Sequence, residues 1–133
     1  MDLLEMKYES YIKEKPKLLY TDTYKGYEYY ITSMGSHPCA YIVIEPDDKL
    51  YGKSCDELSD IPVHGGVTYA ETYLSDWVTD KWVIGWDYWH GDDYNGINGE
   101  MLMTRFERDL KKWTTKEIQV EIMDLIDYIK MCK

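Results

Sequence analysis

Phenylalanine is almost missing from this chain, which has one residue of it against 14 Tyr and 5 Trp. A core short of Phe must use rings that carry a polar tip, and such rings suit half-wet surfaces, interfaces and stacking platforms. Two readings follow, and they can hold together. One is a sheet-rich core with amphipathic edges; the other is a set of rings lining a ligand site or an oligomer interface. Basic residues are also scarce, 15 Lys and Arg against 25 Asp and Glu, for a net charge of −10. That balance excludes DNA or RNA polymers as expected partners, because their binding rests on Lys and Arg neutralising phosphates. A small phosphate-bearing ligand is still admitted. Charges beyond a Debye length of roughly 8 Å are largely screened, so a pocket of backbone N–H groups can set the local field.

Cysteine pairs are absent in any recognisable form. Cys39, Cys55 and Cys132 have no CxxC spacing and an odd count, which reads as free thiols in a reducing compartment. Long apolar runs are lacking too. The clearest spans residues 39–44, far below the ~20 residues of a membrane span. Acids stand in Met1-Asp2-Leu3-Leu4-Glu5, where a signal peptide needs a basic region and a long apolar stretch. A soluble, cytoplasmic protein with no membrane partner is the expectation. No GxSxG, HExxH, P-loop or EF-hand pattern occurs, and Cys39 and Cys55 have no local nucleophile signature. Asp47-Asp48 and Asp92-Asp93 fall in stretches that read as turns, which gives general acid–base chemistry no support.

What is present is concentrated in two blocks. One is Pro62-Val63-His64-Gly65-Gly66-Val67-Thr68-Tyr69, and the other runs from Trp82 through Gly85-Trp86-Asp87-Tyr88-Trp89-His90 to Asp92-Asp93. Together they hold two of the three histidines and three of the five tryptophans. Glycine permits φ > 0 and close backbone approach, and His and Asp supply donors, acceptors and metal ligands.

The 133 residues read as one domain spanning 1–133, with no repeat or linker. Residues 2–14 suggest a short helix stopped by Pro16. Residues 27–33 and 39–45 read as a hairpin around a turn at 34–38. Residues 63–71 and 81–90 read as a second strand pair. Pairing Glu71 with Lys81 would set His64 opposite Asp87–Tyr88, although a one-residue slip would send each side chain to the other face. Residues 92–99 are turn-dense, and residues 101–113 fit a helix or an extended approach equally. Thr114 and Glu117 have capping-box spacing, and Ile118, Ile122, Leu125, Ile126 and Ile129 form one apolar helical stripe. The fold class is therefore α+β: an antiparallel sheet of two or more hairpins with a C-terminal amphipathic helix packed on it.

His64-Gly65-Gly66 reads either as a tight bend with a core histidine or as an anion-binding turn with His64 as donor. Asp87, His90, Asp92 and Asp93 with His64 could ligate zinc, manganese or iron, or could form a solvated acidic loop. Alternation places Asp87 and His90 on opposite faces of an unbroken strand, so no metal and no other cofactor is expected. Trp82, Trp86 and Trp89 share no simple face, which puts some of these rings near the surface or a partner.

Tyr41-x-Val43-x-x-Pro46, Tyr51-Gly52-Lys53, Val63-His64-Gly65-Gly66-Val67-Thr68-Tyr69 and Trp82-x-x-Gly85-Trp86-Asp87-x-x-His90 with Asp92 follow one order. This order resembles a widespread family of small, mostly uncharacterised phage and bacterial proteins. Its core reads roughly V-H-G-G-[IVL]-T-[YF], then W-x-x-G-[FW]-D-x-x-H-x-G-D. The resemblance covers about residues 41–93 plus a C-terminal helix. This chain departs from it at Tyr51, preceded by Lys49-Leu50, where a histidine-containing H-P-x-x-G-type turn is expected. The resemblance implies no catalytic residue. It implies a phage accessory or anti-defence role in the host cytoplasm, and kinship with phage sponges that sequester cyclic nucleotide signals without cleaving them.

The leading expectation is thus a homo-oligomeric binding module for a small nucleotide signal of the cyclic oligonucleotide or cyclic ADP-ribose type. Its ligand-binding residues would be His64, Gly65, Gly66, Thr68, Trp86, Asp87, His90 and Asp92, with Lys81 or Arg105 adding phosphate contacts. The alternatives are a metal-dependent hydrolase using His64, Asp87, His90 and Asp92, and a protein–protein inhibitor presenting acidic charge and Tyr/Trp patches.

Overall fold

Alternation of Tyr, Ile and Val with smaller residues forces the central strands to bury both faces, and the computed structural model shows what covers one of them. It describes residues 17–33, 37–88 and 113–131. Five strands form one antiparallel sheet: β1 (Lys17–Tyr24), β2 (Tyr27–Ser33), β3 (Pro38–Ile44), β4 (Tyr69–Leu74) and β5 (Val78–Asp87). Their spatial order is β1-β2-β3-β5-β4. A single described helix, α1 (Thr115–Met131), packs across β1, β2 and β3. The α+β class and the β2–β3 hairpin follow the sequence reading. The expected helix over residues 2–14 and all of residues 89–112 lie outside the described residues.

Side chains separate by strand parity. Tyr29 and Ile31 of β2, Ile42 and Ile44 of β3, and Ile84 and Trp86 of β5 face the buried stripe of α1. Leu50, Leu58, Ile61 and Val67, from the connection between β3 and β4, complete that core. The capping box at the start of α1 forms as expected. The Glu117 N–H donates to Thr114 Oγ1 at 3.2 Å, and the Thr114 N–H donates to Glu117 Oε1 at 3.1 Å.

Several details differ from the sequence reading. Strand β1 was not anticipated. It pairs with β2 through a two-residue turn in which Lys25 (φ 49°) and Gly26 (φ 87°) both take positive φ, the geometry that matches strand twist. Strand β4 begins at Tyr69 rather than at residue 63, because Gly65 (φ 72°) and Gly66 (φ 81°) turn the chain out of the extended region. Glu71 pairs with Val83, not Lys81. That slip of two residues preserves which face each side chain takes. Strand β5 also starts earlier than expected, at Val78, and Trp82 and Trp86 share the helix-side face.

The opposite face is an aromatic layer. Gly85 has Tyr41 as its cross-strand partner on one side and Tyr69 on the other. Those two rings meet edge-on above it, with centroids 5.1 Å apart. A Cβ at Gly85 would stand 2.3 Å from Tyr41 Cδ1 and 2.7 Å from the Ala40 carbonyl oxygen. Glycine here is a packing requirement, since its φ is not positive. Tyr30 stacks on Trp77 alongside, and Cys39, Val43 and Val83 fill the layer between.

Gly85→Ala should destabilise the fold by roughly 1–3 kcal/mol through overpacking, measured by urea unfolding. Adding Tyr41→Ser should cost less than the sum of the two single changes, because the ring that clashes is gone. A neutral Gly85→Ala would refute the packing argument. Burial, aided by Glu28, pushes Tyr30 up to about 12, and burial does the same to Tyr69. The unfolded chain loses these protons near pH 10 while the folded one keeps them, so this stabilisation is intact below about pH 10 and is lost as pH rises toward 12. Tyrosinate absorbance should therefore appear together with alkaline unfolding for these residues. Full tyrosine ionisation near pH 10 with the fold intact would contradict this.

Candidate functional site

The two sequence blocks do come together, though through a loop rather than a strand ladder. The turn at residues 62–66 folds back so that His64 stacks on Tyr88, with ring centroids 5.0 Å apart and planes within 8°. Trp113, just before α1, tilts against both rings, 4.9 Å from His64 and 4.8 Å from Tyr88. Tyr88 lies one residue past β5, where its N–H donates to the Pro38 carbonyl. Its parity puts it on the helix side of the sheet with Trp86.

Behind these rings runs a buried polar contact. Trp86 Nε1 donates to the Tyr88 hydroxyl at 2.9 Å and to Glu121 Oε1 at 3.1 Å, while the Tyr88 hydroxyl donates to the same Glu121 oxygen at 2.5 Å. A carboxylate in α1 thereby satisfies two sheet donors that burial would otherwise strand.

Against α1 lies a cleft of about 630 Å³, walled by Pro62 and Trp113 at one end and by Glu121, Asp124 and Tyr128 along the helix. This volume falls within the roughly 300–1,000 Å³ of small-molecule sites. From Lys116 to Tyr128 the helix contributes about 18 Å of wall. Glu117, Glu121 and Asp124 against Lys116 make the lining acidic. Tyr128 also borders a smaller cavity of about 220 Å³ that Lys49 and Lys53 line. Comparison of the chain with protein-family models, curated proteins and solved structures returns no match.

Set against this geometry, the sequence-derived residues divide. His64 stands at the aromatic cluster. Trp86 is 1% exposed and so lies behind the cluster, where no ligand touches it directly. Thr68 and Asp87 lie on the other face of the sheet. Thr68 Oγ1 donates to Asp87 Oδ2 at 3.3 Å, and Asp87 is the cross-strand partner of Cys39 in the aromatic layer. His64 and Asp87 are thus on opposite sides, because His64 stacks on Tyr88 and Tyr88 and Asp87 are successive positions whose side chains point to opposite faces. His90, Asp92 and Arg105 lie outside the described residues. Among the described residues no three His, Cys, Asp or Glu side chains converge as metal ligands. Lys81 is engaged with Glu45 at 3.0 Å.

The Gly-Gly turn also differs from an open anion cradle, because the Gly66 N–H donates to the Val63 carbonyl at 2.9 Å within the turn itself. Nothing lies within 4 Å of a Cβ placed on Gly66, so φ rather than space demands glycine there. The cleft was missed because its wall, residues 116, 117, 120, 121, 124 and 128, reads as a solvated polar face. The signal in it is Val120 and Tyr128, apolar bodies set among acids and 50% and 42% exposed.

Gly66→Val should cost roughly 1–2 kcal/mol of stability, the strain of a left-handed conformation for a side-chain-bearing residue. Gly66→Asn should cost much less. Chemical denaturation of the two variants checks this, and equal loss in both would mean that something other than backbone strain is at work.

Proposed function

We propose that this protein binds a small nucleotide signal by its base, in the cleft beside Trp113, and releases it intact. The observation that carries the reading is the cleft itself: about 630 Å³, with an indole in its wall that leans on a His64–Tyr88 stack. Stacking on such a ring contributes roughly 1–3 kcal/mol per base whatever the base identity. Nanomolar binding needs about 12 kcal/mol, so ring edges and phosphates must supply the rest. The acidic lining suits a base rather than a phosphate. Lys49 and Lys53, which line the cavity that shares Tyr128 together with Glu57 and Asp60, are the cations proposed for the phosphates.

The phage accessory and anti-defence setting, with sequestration as the mode of action in the host cytoplasm, belongs to the same proposal and rests on the resemblance described above. So does homo-oligomer formation, for which Leu18, Leu19 and Tyr73, exposed on the outer strands β1 and β4, are the support. A hydrolase built on His64 with Asp87 is disfavoured by their placement on opposite faces of the sheet.

The test is incubation with cyclic di- and trinucleotides and cyclic ADP-ribose isomers, followed by heat denaturation and analysis of the supernatant. Unaltered ligand in stoichiometric amount is expected. Trp113→Ala should weaken binding by about 1–3 kcal/mol, read by titration calorimetry. Converted product would establish an enzyme, and no binding by any member would leave the protein-inhibitor reading in front.

A further inference from the structure

We infer that Glu121 reads the edge of the bound ring, so that the cleft selects heterocycles presenting an amino group over those presenting a carbonyl in its place; this rests on the base-binding reading above. Glu121 stands in the cleft wall, half-buried, and its Oε1 takes both Trp86 Nε1 and the Tyr88 hydroxyl. Those two donors fix the position of the carboxylate. A carboxylate offers about four acceptor positions, and two of them are used here.

An ionised carboxylate only accepts, so the ring edge opposite it must donate. An exocyclic amine does so, as when Asp or Glu takes the N4 amino group of cytosine. A carbonyl in the same place sets oxygen against oxygen. The flanking groups act in the same direction: Glu117 and Asp124 lie one turn to either side of Glu121 in the same wall, with Lys116 the opposing charge. Pre-organisation is built in as well. Tyr88, which holds the carboxylate, also carries the His64 and Trp113 rings, so the stacking surface and the acceptor are set by one side chain.

Matched ligands test this on the intact protein: cyclic di-AMP against cyclic di-IMP, in which the adenine amine is replaced by a carbonyl, and CMP against UMP, each followed by calorimetry and tryptophan fluorescence. The amino-bearing member should bind tighter by roughly ten- to a hundredfold, the scale of one hydrogen bond to a charged group. Glu121→Gln, whose amide both donates and accepts, should bring each pair level. Tyr88→Phe, which keeps the carboxylate but removes one tether, should fall between. Should Glu121→Gln fail to fold, the wild-type pairs and Tyr88→Phe decide the matter. Equal binding within each pair by the wild type, or a preference that survives Glu121→Gln, overturns the inference and leaves base binding standing. Failure of every ligand to bind removes base binding and this inference with it.

Discussion

The contact from Glu121 to Trp86 and Tyr88 is the constraint around which the helix side of the molecule is arranged. A large indole buried at the centre of an apolar core brings an N–H that must find an acceptor. One acceptor is the Tyr88 hydroxyl and the other is a carboxylate from the helix, which ties the rotation of α1 to Trp86. The same oxygen takes the Tyr88 hydroxyl, so the residue that follows β5 is fixed too. Through Tyr88 the constraint reaches His64 and Trp113. Two residues outside the strands and the helix thereby acquire defined positions. Removing one partner from such a network strands the others in low dielectric, so its parts hold one another in place.

On the other side of the sheet the organising feature is a missing side chain. Gly85 leaves a gap in β5 that Tyr41 and Tyr69 close from the flanking strands β3 and β4. The many tyrosines are in large part accounted for here and under α1. Tyr27, Tyr29, Tyr30, Tyr41 and Tyr88 are all buried. A core of tyrosines needs hydroxyl partners, and the chain provides them singly: Asp48 for Tyr27, Glu28 for Tyr30 and Gln119 for Tyr29. Part of the acidic surplus is thus spent locally on tyrosine hydroxyls.

How much of this was legible follows from the range of each signal. Helix α1 was readable because a capping box and an apolar stripe lie within seventeen residues of one another. Strands β2 and β3 were readable from β-branched and aromatic alternation. Strand β1 was not, since its outer position leaves Lys17, Asp22 and Thr23 exposed and the extra residue Leu19 breaks its pairing period; the Lys25-Gly26 turn was the available clue. The proximity of the two sequence blocks was foreseeable from antiparallel pairing. Which residues shared a face was not, because the turn at Gly65 and Gly66 leaves His64 outside β4, where strand alternation does not assign its side. The cleft was hard to read because most of its wall is a helix face that looks solvated, with Val120 and Tyr128 as the signal, and because Pro62 joins it from about fifty positions away.

The placement of α1 over β1, β2 and β3 has a consequence for the making of the protein. These three strands are joined by short turns and can pair as soon as they emerge, since local contacts form early. Their cover is encoded 71 residues beyond the end of β3, counting from Ile44 to Thr115. At the usual 5–20 residues per second of synthesis, the interval is roughly 4–14 s. Throughout it, Ile31, Ile42 and Ile44 form an apolar sheet surface that lacks its helix. In a crowded polysome, that surface is where nascent copies would meet one another or a chaperone, and the arrival of α1 ends the exposure.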